Sequence, residues 1–544
     1  MTGLFNTVDW ICVAGYFLVV FLVAFWATWK NRQARDSSAG YFLAGRNTGW
    51  FVIGASLFAS NIGSEHLVGL AGSGASGGVA VAQFELMACF CLLILGWLFV
   101  PFYLASGVFT MPEFLERRYS KGARRYLAVI SIIGYVLTKI SVTIAAGGIV
   151  FKTLMGIDFW TGAVIVVVAT GIYTVAGGLR AVLYTDLLQT FVLIGGSILI
   201  TVVGLMKLDG WGALYESTGP EFFNLWKSID HPDFPWTGMI FGIPIIGVWY
   251  WCTDQFIVQR VLAASDQKQA RLGTIFAGYL KLLPLFIFVV PGMIAFALAK
   301  SGDLELAKSD HAFPALVEAL LPPGVRGIMA AGLLAALMSS LSSVFNSCST
   351  LITMDIYKEL DPNASERRLV LVGQLSTVVL VACGLLWIPL IDRISGELYK
   401  YLQSVQAYIS PPIAAVFLIG LFWRRVNARG AMASLLTGFV LGMTRLILEL
   451  KEVRLAGPLR HFVDVNFLHF AIGLFAVCSA VLVLVSLTSA PPKIESLEGV
   501  CMAGRRRKER LQAEGTPGAW FSGPLVLTLV LLALIGVIYV YFTG

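Results

Sequence analysis

Ten ionisable side chains sit inside stretches apolar enough to cross a lipid bilayer: His66, Glu85, Lys139, Lys152, Asp186, Asp254, Lys281, Arg326, Asp355 and Arg445. On insertion scales a charge at the centre of a membrane helix costs about 2.5–3.5 kcal/mol, so such residues are retained for a partner or a task. Asp254, Arg326, Asp355 and Arg445 lie near the ends of their stretches, within reach of an interface, and read as structural. His66, Glu85 and Lys281 sit deeper. A carboxylate accepts hydrogen bonds, an ammonium donates them and a neutral imidazole does both, so the three can converge on a solute that presents hydroxyls. A buried ion pair between Glu85 and Lys281, holding two helices together, is the competing reading, and both stay open at this level. A second chemical pattern is the hydroxyl-rich run at 336–347 (ALMSSLSSVFNS). Hard cations take oxygen ligands, and two hydroxyls with backbone carbonyls suit a monovalent ion held weakly enough to leave on each cycle. Serines in membrane helices also bond the carbonyl four residues earlier, which is the structural alternative.

The stretch at 48–72 is the element that these groups are organised around. Trp50, Phe51, Val52 and Ile53 before it and Leu67, Val68 and Leu70 after it belong in a bilayer, whereas Ser60, Asn61, Gly63, Ser64, Glu65 and His66 between them do not. A helix interrupted at the membrane midplane reconciles the two. Irregular backbone at that depth is tolerated where it lines a protein-enclosed cavity, and its freed carbonyls suit a small cation. A plain helix whose small residues pack closely on a neighbour is the alternative. The stretch at 238–258 opens in a related way, with Gly242, Pro244 and Gly247 ahead of Tyr250, Trp251, Thr253, Asp254 and Gln255. Two interrupted helices in corresponding positions point to a site between inverted repeats.

With 544 residues, 57% of them hydrophobic and 13% charged, and a mean hydropathy of +0.80, the chain reads as an all-α polytopic membrane protein in contact with a lipid bilayer. Fourteen stretches reach spanning length, about 9–29, 48–72, 82–106, 126–154, 160–177, 184–206, 238–258, 275–299, 325–356, 369–390, 401–422, 430–447, 465–488 and 519–542. The first is followed by Lys30, Arg32 and Arg35, which makes it a retained anchor with its N-terminus outside. On that orientation 25 Lys and Arg fall in cytoplasmic loops, Arg260 among them, and nine in outer loops, so both termini face out. The basic run at 505–510 then reads as a topology anchor. No phosphate loop, CxxC pair or HExxH helix is present, and the basic residues form no nucleic-acid footprint. None of the eight cysteines falls in an outer loop, so disulfides are not expected. The sequon at Asn363 lies in a cytoplasmic loop, which fits a bacterial inner membrane.

Seven passages resemble the sodium/glucose cotransporters of the sodium:solute symporter family, in its bacterial type: 56–64 (SLFASNIGS), 96–101 (GWLFVP), 250–255 (YWCTDQ), 279–282 (YLKL), 339–347 (SSLSSVFNS), 353–357 (TMDIY) and 411–417 (PPIAAVF). The resemblance runs from about residue 5 to 490 and implies a LeuT-type 5+5 inverted-repeat core with about 14 transmembrane helices. On that plan 1–47 holds an extra helix and a cytoplasmic loop, 48–206 the first repeat, 207–237 an extracellular loop, 238–424 the second repeat, and 425–544 accessory helices. It also implies a function: a secondary active transporter, not an enzyme, that moves a neutral hexose such as glucose or galactose inward with sodium. Asn61, His66, Glu85, Tyr250, Trp251, Lys281 and Gln403 would bind the sugar or close over it. Sodium would sit on the carbonyls of Ala59, Ile62 and Ala336 and the hydroxyls of Ser339 and Ser340. A second sodium would take Asp186, Ser342 and Ser343.

The chain departs from the pattern of animal relatives at Gly247, where Thr is usual, and at Lys400, where Asp is expected. A sodium/myo-inositol or other polyol symporter is the near alternative. A sugar-gated sensor or channel is the rival from another class, against which Gln403 speaks because sensor-like relatives tend to be acidic there. Nothing in the sequence asks for an oligomer, and its state, the preferred hexose and the role of Lys139 stay open.

Overall fold

Apolar runs of this length satisfy their own backbone hydrogen bonds as helices once water is removed. In a computed structural model covering residues 5–29, 37–63, 65–391, 398–450, 457–502 and 523–543, helices overlie each of the fourteen stretches. Ser64, Lys30, Arg32, Arg35, Arg393, Lys451, Arg454 and the basic run at 505–510 lie outside the described residues. Among those described, ten helices are long and apolar enough to cross a membrane, or eleven if the pair Trp236–Thr253 and Gln255–Leu262, bent by 44°, is one span. The expected fourteen therefore includes pieces that are not full spans by themselves. Trp50–Asn61 and Phe159–Val175 are apolar but short.

In chain order the elements that matter are α1 (Thr7–Trp29), α2 (Trp50–Asn61), α3 (His66–Ser106), α4 (Lys121–Gly148), α5 (Phe159–Lys207), α6 (Trp236–Thr253), α7 (Gln255–Leu262), α8 (Gln267–Ser301), α9 (Val325–Leu360) and α11 (Leu398–Phe422), with α10 (Glu366–Ile391) between the last two. The helix α2 stops at Asn61. Ile62 has left helical geometry (φ −79°, ψ 84°), and the chain resumes as a π-turn from Glu65 to Leu70. Likewise α6 ends in a π-turn, Val248–Thr253, and Asp254 (φ −79°, ψ 127°) separates it from α7, whose first turn its carboxylate caps through Phe256 N–H. Both predicted interruptions are present.

Two glycines let the interrupted helix be enclosed. A Cβ on Gly54 of α2 would lie 2.8 Å from the Gly273 carbonyl of α8, and one on Gly273 would lie 3.1 Å from the Trp50 carbonyl, so the two backbones approach closely only without side chains there. The other side of α2 packs on α5 and α9, which also pack extensively on each other. The 49-residue run of α5 is two pieces joined at Gly178 (φ +58°), where a Cβ would lie 2.6 Å from the Tyr41 carbonyl oxygen. This joint is the expected boundary between the stretches at 160–177 and 184–206. Outside the core, the segment after α5 is tied down at Leu225. Gln83 donates to the Leu225 carbonyl at 2.9 Å, and Leu225 N–H donates to the Phe542 carbonyl at 3.1 Å.

Arg260 corrects the topology count. It is not a loop residue but lies on α7 with 1% of its surface exposed. Hydropathy could not place it there, because its charge is matched by groups far away in sequence. Asp254, Asp355 and Arg445 are also buried, each held by protein partners as a structural role requires: Tyr135, the pair Thr110 and Arg124, and Glu449. Arg326 pairs with Asp9 of α1 at 2.8 Å.

Gly178→Ala forces a left-handed backbone on a residue with a Cβ and pushes it into Tyr41. The expected loss is about 1–3 kcal/mol of stability, read as a lower melting temperature of the detergent-solubilised protein, and an unchanged melting temperature would contradict this account of the joint.

Candidate functional site

The end of α2 delivers Asn61 to a small cavity between the two interrupted helices. Its walls include Asn61, His66, Glu85, Tyr250, Trp251 and Gln403. Lys281, at the C-terminal end of the helical turn Gln267–Leu280, reaches in from beneath: its ammonium donates to both Glu85 Oε2 and Asn61 Oδ1 and is 1% exposed. The other Glu85 oxygen lies 3.3 Å from His66 Nε2. Asn61 Nδ2 donates to the Tyr250 hydroxyl at 3.0 Å. All seven residues assigned by resemblance to the sugar are thus gathered at this cavity, six in its wall and Lys281 through its bonds to two of them.

The two readings of Glu85 and Lys281 are not exclusive in this geometry. The pair is an ion pair between α3 and α8, and its polar atoms adjoin the cavity. Aromatic faces complete the enclosure. Tyr250 and Trp251 have ring centroids 5.1 Å apart, and Tyr399 also lines the cavity, with edge contacts to His66 and Phe84, both at 5.9 Å. A polyhydroxylated ring presents hydroxyls round its rim and C–H bonds on its faces, which matches donors and acceptors flanked by aromatic planes.

A second polar cluster lies against the last two turns of α2, through Ser56 and Ser60. The Asp186 carboxylate of α5 is fully buried and accepts from Ser339 (2.5 Å), Ser56 (2.6 Å) and Ser60 (3.0 Å). Ser339 also lies 3.3 Å from the Ala59 carbonyl, and Ser340 is buried with no hydrogen-bond partner for its hydroxyl among the described residues. Ser342 donates to the Ser339 carbonyl at 3.0 Å and Ser343 to Ser60 Oγ at 3.2 Å. The residues expected to form two separate cation sites therefore adjoin one another, with Ser339 bonded to members of both. The oxygen-only donor set fits a hard monovalent cation.

Comparison with known proteins decides the family. The model of the Sodium:solute symporter family matches residues 41–438. The chain belongs to this family. It is 39% identical over 546 residues to sodium/glucose cotransporter 1 of Oryctolagus cuniculus, covering 93% of this chain and 82% of that protein. It is 40% identical over 546 residues to the sodium/myo-inositol cotransporter of Homo sapiens, covering 91% and 75%. The solved structure of a Na+-coupled sialic acid symporter in a substrate-bound outward-open state superposes with a TM-score of 0.77 at 21% identity, covering 90% of this chain and 99% of that one, which shows the shared LeuT-type fold. As a member of the Sodium:solute symporter family the chain is a sodium-coupled membrane transporter and not an enzyme.

Within this symporter several cavity residues escaped sequence reasoning. Tyr399, Phe84, Ile243, Ile246, Leu402 and Gln406 line the cavity as well. Gln406 had a signal, since it lies three residues after Gln403 on the same helix face; the apolar residues had none. Lys139 lines the cavity too, its ammonium 4.0 Å from the Tyr250 ring centroid and 3.9 Å from Asp254. Gly247, noted as a departure from animal relatives, also faces the cavity, and a Cβ there would meet Cys91 Sγ at 2.6 Å, so the space is shared with that thiol.

Lys281→Met leaves Glu85 as a buried charge without its main partner. The expected cost is about 3–5 kcal/mol, and Glu85→Gln combined with Lys281→Met restores most of it. Chemical or thermal unfolding of the single and double variants measures the difference, and additive losses would sink the ion-pair reading.

Proposed function

We propose that this symporter carries a neutral hexose inward together with sodium by alternating access. The observation that carries the reading is the ring of alternating donors and acceptors at the cavity, Asn61, His66, Glu85, Lys281 and Gln403, backed by the Tyr250 and Trp251 rings. Its support is the name of the rabbit relative, a sodium/glucose cotransporter. A sodium/myo-inositol relative of equal similarity favours a second reading, a cyclic polyol in the same cavity, since both solutes offer a hydroxylated six-membered ring.

In this proposal sodium on the carbonyls of Ala59, Ile62 and Ala336 and the hydroxyls of Ser339 and Ser340 braces the end of α2, which orders Asn61 and His66 for the solute. The orphan hydroxyl of Ser340 supports that placement. Solute binding then favours closure of Tyr399 and Phe84 over the cavity. Binding linkage is reciprocal, so the solute raises sodium affinity by the factor with which sodium raises solute affinity. A second sodium at Asp186, Ser342 and Ser343 would roughly double the contribution of the membrane potential, about 2.3 kcal/mol per charge per 100 mV. Residues 48–206 and 238–424 form the inverted repeats of this scheme. The excess of Lys and Arg in one set of loops supports termini on the outside of a bacterial inner membrane.

Uptake of labelled glucose, galactose and myo-inositol into proteoliposomes, under an inward sodium gradient or with potassium in its place, tests the reading. Sodium-dependent accumulation above the external concentration is expected and ranks the solutes. Sugar binding or current without accumulation would turn the reading toward a sensor or channel. Glu85→Ala should weaken sugar binding by about 10- to 100-fold, the loss of a charged hydrogen bond, while sodium binding is spared; unchanged sugar affinity removes Glu85 from the site.

A further inference from the structure

Arg260 occupies an unusual position for a guanidinium. It projects from α7, the inner piece of the second interrupted helix, into the hydroxyl cluster around Asp186. Its Nε donates to Ser56 Oγ at 3.0 Å, and Nη2 donates to Ser343 Oγ and lies 3.7 Å from Asp186 Oδ2. Ser343 and Asp186 are two of the three residues proposed above for a second sodium. One carboxylate buried among membrane helices balances one positive charge, and two cations crowded on it within 4 Å repel strongly where water does not screen them.

We propose that Arg260 is an internal counter-cation for Asp186 that exchanges with sodium, and that this exchange loosens α7 from α9. The inference rests on the proposed sodium role of Asp186, Ser342 and Ser343. Two sets of contacts hold α7 to α9. Arg260 bonds Ser343, while Gln259 donates to Thr350 Oγ1 at 2.8 Å and accepts from Ser347 at 3.3 Å. Ser339, Ser343, Ser347 and Thr350 recur at helical spacing, so the α9 face that carries the cation ligands continues directly into the face that grips α7. Ser343 is where they meet. A sodium ion that takes Ser343 and Asp186 removes both the hydroxyl and the charge from the guanidinium, and α7 is left tied to α9 through Gln259. Ion occupancy is thereby transmitted to the helix piece that follows Tyr250 and Trp251 at the cavity.

The test uses the purified full-length protein, melted in mixtures of sodium and potassium chloride at constant ionic strength, with hydrogen exchange of the segment Gln255–Leu262. In Arg260→Gln, sodium no longer competes with the guanidinium. The variant should melt lower than the parent in potassium and be rescued more by sodium, with the half-maximal sodium concentration lower by about tenfold, an ordinary coupling factor. In the parent, saturating sodium should speed exchange in Gln255–Leu262, and Asp186→Asn should abolish that response. An unchanged or higher half-maximal sodium concentration in Arg260→Gln, with Asp186→Asn still blunting the sodium effect, overturns the exchange. A sodium response untouched by Asp186→Asn overturns the second sodium site itself, and the exchange with it. If Arg260→Gln fails to assemble, Arg260→Lys keeps the charge but loses the fork that spans Ser56 and Ser343; it should shift the sodium midpoint in the same direction by less, and no shift overturns the proposal equally.

Discussion

A charge enclosed by membrane helices has to be matched within the protein, and two such matches organise this molecule. Lys281 is satisfied by Glu85 and Asn61, and Asp186 by three serine hydroxyls with Arg260 close by. Both involve α2. Its last residue, Asn61, belongs to the first cluster, and Ser56 and Ser60, one turn apart, belong to the second. The final two turns of a single short helix therefore touch the cavity on one side and the hydroxyl cluster around Asp186 on the other. Any shift of that helix changes both, which is the geometric basis of the ion–solute linkage proposed above.

The surrounding architecture makes this arrangement affordable in backbone terms. A helix that stops in mid-membrane exposes carbonyls and amides that lipid cannot satisfy. Here α2 is enclosed by α8, α5 and α9, with Gly54 and Gly273 setting the closest approach. The second interruption is capped by Asp254, whose carboxylate takes the Phe256 amide and the Tyr135 hydroxyl. Lys139 sits against the same corner and against the Tyr250 ring, so the cavity wall and the helix break share one support.

Residues at the ends of α4 and α9 form a third set of contacts away from the cavity. Arg124 bonds Asp355 at 2.8 Å and the Met354 carbonyl at 2.6 Å, and Arg125 bonds Glu359 at the surface. These join the start of α4 to the end of α9. Exposed pairs such as Arg125 and Glu359 add little stability, typically about 0–1 kcal/mol, whereas Asp355 is fully buried and depends on Arg124 and Thr110 for its hydrogen bonds.

Much was legible in the chain alone because hydropathy and backbone chemistry are local. Apolar length sets where helices lie, and polar, glycine and proline residues set within those stretches mark where two of them break, so the breaks at Asn61 and Asp254 and the deep placement of Glu85 and Lys281 could be read directly. The family motifs pointed to residues that line the cavity, including Gln403. What each buried group meets was not legible, because the partners lie far apart in the chain: Glu85 and Lys281 are 196 residues from each other, and Ser343 and Arg260 are 83. Arg260 is the plainest case. Beside an apolar stretch that by hydropathy ends at residue 258, an arginine reads as a loop cation facing the cytoplasm, and only the packing of α7 against α2 and α9 turns it inward, since a charge can enter the core only where folding has already assembled the carboxylate and hydroxyls that balance it.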